Sequence, residues 1–265
     1  MIDANQLVGT HDILLMTLDT LRLDVAVEAM KQGLTPNFQK ILPGGKWEHR
    51  HTPGSFTFAA HQAFFAGFFP TPATPGPHPR LFAADFLGSE TTTAQTCVFD
   101  TADIVTGLAG RGYHTVCVGG VGFFNKQTPL GTVLPGLFQE SHWSPELGVT
   151  HRDSTQKQFD VAIESLARQA DKRVLMFINI SALHQPNCMY SNDASVDRDS
   201  PETQAAALGY VDSQMPKLLE RFKKRGPTLC IFTSDHGTAY GDDGFVGHRI
   251  GHPAIWDVPY AEFIL

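Results

Sequence analysis

At 265 residues, with 42% hydrophobic and 18% charged residues, the chain has the length and balance of one large globular enzyme domain. A formal charge of -7 and the lack of any basic run argue against a nucleic-acid partner, and no apolar stretch is long enough to cross a bilayer. The four cysteines, Cys97, Cys117, Cys188 and Cys230, show no CxxC spacing, and the N-terminal stretch lacks the basic start and unbroken apolar core of a signal peptide, so a cytoplasmic, reduced protein is expected.

Taken in chain order, the elements alternate between strand and helix, the pattern of a mostly parallel α/β sheet. Strands are expected at Asp12–Leu18, His114–Val118, 173–180, Thr228–Thr233 and 259–265, where short runs of Val, Ile, Leu and Phe suit a sheet covered on both faces. Helices are expected at 100–109, with Asp100 or Thr101 as cap, at 153–168, and at 200–224, where Ser200-Pro201-Glu202 is a start signal and Gly226-Pro227 a stop. A further helix is expected just after Thr57, from the spacing of Ala60, Ala63 and Phe64. Residues 70–79 read as an irregular loop, and 119–137 as a long Gly- and Pro-rich loop at the same sheet edge as the candidate site. The reading is a single domain over residues 1–265, with no repeat and no linker.

Two strands end on chemistry. The first delivers Asp19 at its exit, and the run Cys230-Ile231-Phe232 leads to Asp235-His236. In a parallel sheet such strand ends open onto one crevice, and two carboxylates with an imidazole gathered there suit a divalent cation. Thr57, at a helix start, faces free N–H groups and the positive end of the helix dipole, although taken alone Thr57 or Ser55 is better explained as a plain helix cap. Other polar residues have blander readings. Asp24 pairs with Arg22 or caps a helix, His49, His51 and His78 lie in loops, and Asp242 and Asp243 form a turn. Phe123 and Phe124 read as packing or as the lining of an apolar pocket. The run Gly119-Gly120-Val121-Gly122 lacks the full dinucleotide fingerprint, so a Rossmann-type nucleotide binder ranks low.

In combination these residues resemble the metal-and-nucleophile pattern of the alkaline phosphatase superfamily, which includes sulfatases and phosphodiesterases. LLMTLDTLRLD followed by TPNFQKI is similar to the superfamily's start, and Thr57 through Gly67 to its nucleophile motif. GYHTVCVGG is similar to a strand of sulfatase-like members. TSDHGTAYGDDGFVGHR is similar to a segment of phosphoethanolamine transferases and lipoteichoic-acid synthases. The resemblance implies an alkaline-phosphatase-like three-layer α/β sandwich. Asp19, Asp235 and His236 would be metal ligands and Thr57 a metal-bound nucleophile. His184 and His248 would hold a second metal or donate to the transferred group, with His252 an alternative to His248. His61 would orient substrate or simply face the sheet, and Lys126 would contact substrate. The implied cofactor is zinc or manganese, one ion with a second open. The implied activity is hydrolysis or transfer of a small-molecule phosphate mono- or diester, the alternatives being sulfatase-like, phosphotransferase or phosphomutase activity, or a non-catalytic metal-binding module. Several departures stand out. The sulfatase nucleophile position holds Thr57 without the usual Pro and Arg, Gly120 replaces a sulfatase lysine, Thr20 replaces the second aspartate, and Asn179 or Ser181 stands where many two-zinc members have a carboxylate.

Overall fold

A computed structural model describes residues 1–67 and 103–265, with the backbone of two short strands between them. In chain order the elements are β1 (Asp12–Leu18), α1 (Leu23–Lys31), α2 (Pro36–Ile41), β2 (Glu48–His51), α3 (Thr57–Ala66), β3 (Ala83–Ala84), β4 (Val98–Phe99), α4 (Ile104–Gly110), β5 (His114–Val118) and α5 (Pro129–Val133). They continue with β6 (Glu140–His142), α6 (Ser154–Arg168), β7 (Val174–Ile180), α7 (Pro201–Arg225), β8 (Thr228–Thr233), β9 (Ala239–Tyr240), β10 (Val246–Gly247), α8 (Pro253–Trp256) and β11 (Asp257–Ile264).

Seven strands form the central sheet in the order β2-β11-β8-β1-β7-β5-β6. The strands from β8 to β6 run parallel, and β11 and β2 add an antiparallel margin. β1 alternates between two cores, as the two-residue period of a strand demands. Leu14, Met16 and Leu18 pack with α1, α2, α6 and α7, whereas Ile13 and Leu15 pack on the other face with α3 and α4. Helices therefore cover both faces, and each fully buried Leu, Ile or Phe contributes about 1.5–3 kcal/mol. The same alternation turns Thr17 and Asp19 toward the α3 face.

The long helix α7 starts as its sequence predicts. Ser200 and Thr203 form a capping box with Pro201 in the first turn, and Gly226 at φ 132 ends it. The helix expected at 100–109 is observed as α4, capped by Asp103 through a bond from Thr106 N; Asp100 and Thr101 lie outside the described residues, as do the loop at 70–79 and His78. The stretch 119–137 is not a bare loop, since it holds α5 and two 3-10 turns. β2 was not foreseen. Its sequence, Glu-His-Arg-His, is that of an exposed edge, so no apolar alternation marks it, and His49 and His51 sit on this strand rather than in a loop.

Candidate metal and nucleophile site

Asp19 leaves the end of β1 and Asp235 leaves the end of the adjacent β8, so strand order alone makes them neighbours. Thr20, directly after Asp19, is fully buried in the left-handed region at φ 62, a strained conformation for a β-branched residue. That turn aims the Thr20 N–H at Asp235 Oδ1, 3.2 Å away. The position that holds a second aspartate in sulfatases thus holds the Asp235 carboxylate from the backbone. His236 N donates to the same oxygen at 3.1 Å, and the Thr52 hydroxyl donates to the Asp235 carbonyl. Gly237 is required sterically, because a Cβ there would lie 1.9 Å from the Ala254 carbonyl oxygen.

One ligand atom each from Asp19, Asp235 and His236 lies within 4.8 Å of the others, and all three residues are fully buried. His236 Nδ1 donates to the Gly237 carbonyl at 2.8 Å, which leaves Nε2 unprotonated and turned to the cluster. Among the described residues Asp19 Oδ1 and Asp235 Oδ2 are buried without a hydrogen-bond partner. Burial, followed by the charge of Asp235, pushes the Asp19 carboxyl up to about 6. Burial pushes Asp235 up to about 7 against the backbone N–H groups that hold it. Two unpartnered carboxylate oxygens, one imidazole nitrogen and a hydroxyl, all dry and facing each other, are a donor set that fits a zinc- or manganese-sized cation.

Thr57 is the first residue of α3, and the capping position is Phe56, which makes no side-chain cap. The hydroxyl is therefore not spent on the helix. It lies 3.2 Å from His236 Nε2 and 3.5 Å from Asp19 Oδ2. His184 follows β7, and its Nδ1 donates to the Gln185 carbonyl at 2.6 Å, freeing Nε2. The His248 ring sits 4.6 Å from that of His236 and 6.1 Å from that of His184, centroid to centroid. Its Nδ1 is buried and unpartnered, and burial followed by His236 draws it down to about 4. His252, by contrast, caps α8 and meets Asp243 at 3.1 Å, so of the two late histidines His248 is the one beside the cluster.

His61 is fully buried behind Thr57 rather than beside a substrate, a correction to its expected contact role. Its Nδ1 donates to the Thr57 carbonyl at 2.7 Å, and its Nε2 accepts from the Thr17 hydroxyl at 3.0 Å. Burial among Phe64, Phe65, Phe124 and Phe177 draws its pKa down to about 3, so it is neutral. Thr17 faces Asn179 across the β1–β7 register. The Asn179 amide donates to Thr17 Oγ1 at 3.2 Å and to Asp19 Oδ2 at 2.9 Å, while its carbonyl accepts Val121 N at 3.0 Å. A polar chain thus links the Thr57 backbone to Asp19, with Asn179 donating both ways, to Asp19 directly and through Thr17 and His61 to the Thr57 carbonyl. The sequence shows Asn179 only as the place of a missing carboxylate, and gives no sign of Thr17.

Lys126 also departs from its expected role. Its ammonium donates to the Ser141 carbonyl at 3.1 Å on the far edge strand β6. Gly120 has no room for the lysine of sulfatases, since a Cβ would lie 2.3 Å from the Asn179 carbonyl oxygen. Asp24 makes a bidentate pair with Arg22 at 2.6 and 2.9 Å, as its sequence suggests. Phe124 is core, and Phe123 packs between Phe56 and Phe58.

Fold and site together define an alkaline-phosphatase-like α/β protein with a candidate Asp/His metal centre. The sulfatase family model matches residues 16–260, and the chain belongs to that family within the alkaline phosphatase superfamily. No curated protein sequence matches it. Among solved structures, it is similar to the C-terminal periplasmic domain of the phosphoethanolamine transferase EptC from Campylobacter jejuni. That match has 13% identity and a TM-score of 0.62, over 99% of this chain and 82% of that one. It is also similar to the lipoteichoic acid synthase LtaP from Listeria monocytogenes, at 12% identity and TM-score 0.61, over 95% of this chain and 65% of that one. A third likeness is the C-terminal periplasmic domain of EcEptC from Escherichia coli in complex with Zn, at 12% identity and TM-score 0.60, over 97% of this chain and 74% of that one. Among the described residues no helix is long and apolar enough to cross a membrane. The periplasmic origin of two of these relatives gives the cytoplasmic expectation no support.

Proposed function

We propose that the protein is a metal-dependent hydrolase of phosphate mono- or diesters that uses Thr57 as its nucleophile. The observation that carries this reading is the Thr57 hydroxyl, unspent by its own helix and set against Asp19 and His236. Asp19, Asp235 and His236 would hold a zinc or manganese ion, whose bound charge lowers the hydroxyl pKa and offsets that of the ester. Thr57 Oγ1 gives up its proton to solvent and attacks phosphorus in line, its bond to phosphorus forms, and the bond to the alcohol oxygen breaks. The departing oxygen takes a proton from solvent, directly or relayed through His184 Nε2, which the Nδ1 bond to Gln185 leaves free. Water then attacks the phosphothreonine and releases Thr57. His248, neutral at pH 7, is the imidazole available to accept that water's proton. An alcohol in place of water makes the same site a phosphotransferase, and product analysis with an alcohol acceptor separates the two. Thr57 without a following Pro and Arg favours phosphate over sulfate esters.

The test is Thr57→Ala in zinc-loaded protein with an aryl phosphate. The expected loss in kcat is on the order of 10⁴-fold, while zinc affinity changes no more than a few-fold. Wild-type rates from the variant would falsify the assignment.

A further inference from the structure

Arg249 follows His248 directly and stands out on three counts. Its backbone holds the left-handed region at φ 70, an unfavourable conformation for a residue with a side chain. Its N–H donates at 2.8 Å to the carbonyl of Ser55, two residues before Thr57, which ties its loop to the approach of the nucleophile. Its guanidinium lies 5.5 Å above the ring of Phe56, the residue immediately before Thr57.

Among the described residues the charge on this guanidinium is not matched. Two nearby acidic residues of the same loop are engaged elsewhere, Asp242 with Arg22 at 2.8 Å and Asp243 with His252 at 3.1 Å. Among the described residues no carboxylate pairs with Arg249, and its side chain is exposed. Beneath it, Phe56 and Phe123 stand 6.3 Å apart, centroid to centroid, and make an apolar floor beside the nucleophile.

From this placement we propose that Arg249 determines specificity by binding a second oxyanion, a carboxylate or phosphate carried on the alcohol part of the ester. The phosphoryl group to be transferred is taken up at Thr57 and the buried cluster. A planar fork of donors on the solvent side, over aromatic rings, suits an anion held one aromatic or short aliphatic spacer away. The proposal rests on the ester-cleaving reading above.

The test compares phenyl phosphate with 3- and 4-carboxyphenyl phosphate in zinc-loaded wild type, Arg249→Gly and Arg249→Lys. Glycine suits the left-handed backbone, so Arg249→Gly removes the guanidinium without adding strain. The expected result is a KM about tenfold higher for at least one carboxylated ester in Arg249→Gly, with its kcat and the KM for phenyl phosphate within about twofold. Arg249→Lys recovers part of the loss. An equal effect on all three esters overturns the proposal. Calorimetric binding of the corresponding non-hydrolysable phosphonates separates this from the chemistry at Thr57. If no ester turns over but wild type binds a carboxylated phosphonate more tightly, and Arg249→Gly loses that preference, the anion subsite stands and the nucleophile assignment falls. If wild type shows no preference between the phosphonates, the subsite falls whatever the turnover.

Discussion

The first strand carries a fully buried aspartate near each end, and the two are treated in opposite ways. Asp12 receives the Arg225 guanidinium at 2.8 Å and the Val174 N–H at 2.9 Å, with Arg173 at 3.7 Å. Asp19, seven residues on and equally buried, faces another carboxylate and keeps one oxygen without a partner. A buried carboxylate is tolerated only when its charge is met. At Asp12 the fold supplies the counter-charge from its own chain. At Asp19 the fold assembles donors and leaves the positive charge to be supplied from outside. The first arrangement is structural, and the second is what a cation site requires.

The comparison is broken most forcefully at the structural end. Asp12→Asn leaves Arg225 buried with its carboxylate gone, and the expected loss is about 3–5 kcal/mol of unfolding free energy, unchanged by added zinc. Denaturant titration with and without zinc checks both parts, and a zinc-dependent loss would contradict the structural role.

At the other end the pH dependence has an unusual sign. Asp19 and Asp235 keep their protons in the metal-free fold up to about 6 and about 7, whereas in the unfolded chain carboxyls lose them near 4. At these two carboxyls the folded state binds more protons, so their contribution to metal-free stability is fully present below about pH 4 and falls as pH rises to about 7, against the opposite contribution of His61 and His248, whose imidazoles the fold holds neutral. Zinc should flatten that fall, and Asp19→Asn should flatten it without zinc while abolishing the zinc response. Thermal unfolding from pH 4 to 8 in a chelator distinguishes these cases. A metal-free Asp19→Asn protein whose stability followed the same pH course as metal-free wild type would remove the argument for unmet charge.

A smaller effect should come from the chain of bonds behind the site. His61→Phe removes the link between the Thr57 carbonyl and Thr17, and Asn179→Leu removes the amide on Asp19. Groups that orient a metal ligand typically change activity or affinity 10- to 100-fold. The expected pattern is a fall of that size in kcat for both variants, with weakened zinc binding only for Asn179→Leu. Zinc affinities that fell equally would show that the two bonds do not act on separate partners.

Much of this could be read from the residues in order. Asp19, Thr57 and Asp235-His236 are legible because each sits where an apolar run or a helix pattern breaks, and such breaks mark element ends. His248 was legible through its spacing from His236. Other features were not, for physical reasons. β2 buries little, so it shows no apolar period. The side-chain directions of His61 and Lys126 depend on how α3 and the 119–137 stretch pack, which spacing alone does not encode. Thr17 and Asn179 meet because β1 and β7 pair in a particular register, a long-range fact invisible along either strand. Arg249 gave no signal, since its distinction lies in a backbone angle and in the absence of a partner.

The central place of β1 also bears on how the molecule is made. Asp19 meets Asn179 across 160 residues of chain, and Thr20 meets Asp235 across 215. As the polypeptide leaves the ribosome, β1 emerges before the two strands that pair with its edges, β7 and β8, and cannot complete its ladders until they have been synthesised. Such long-range pairing makes folding slow and leaves the waiting strand prone to aggregation. The candidate metal site is consequently among the last parts to form, and a cation taken up there would meet a sheet that is already complete.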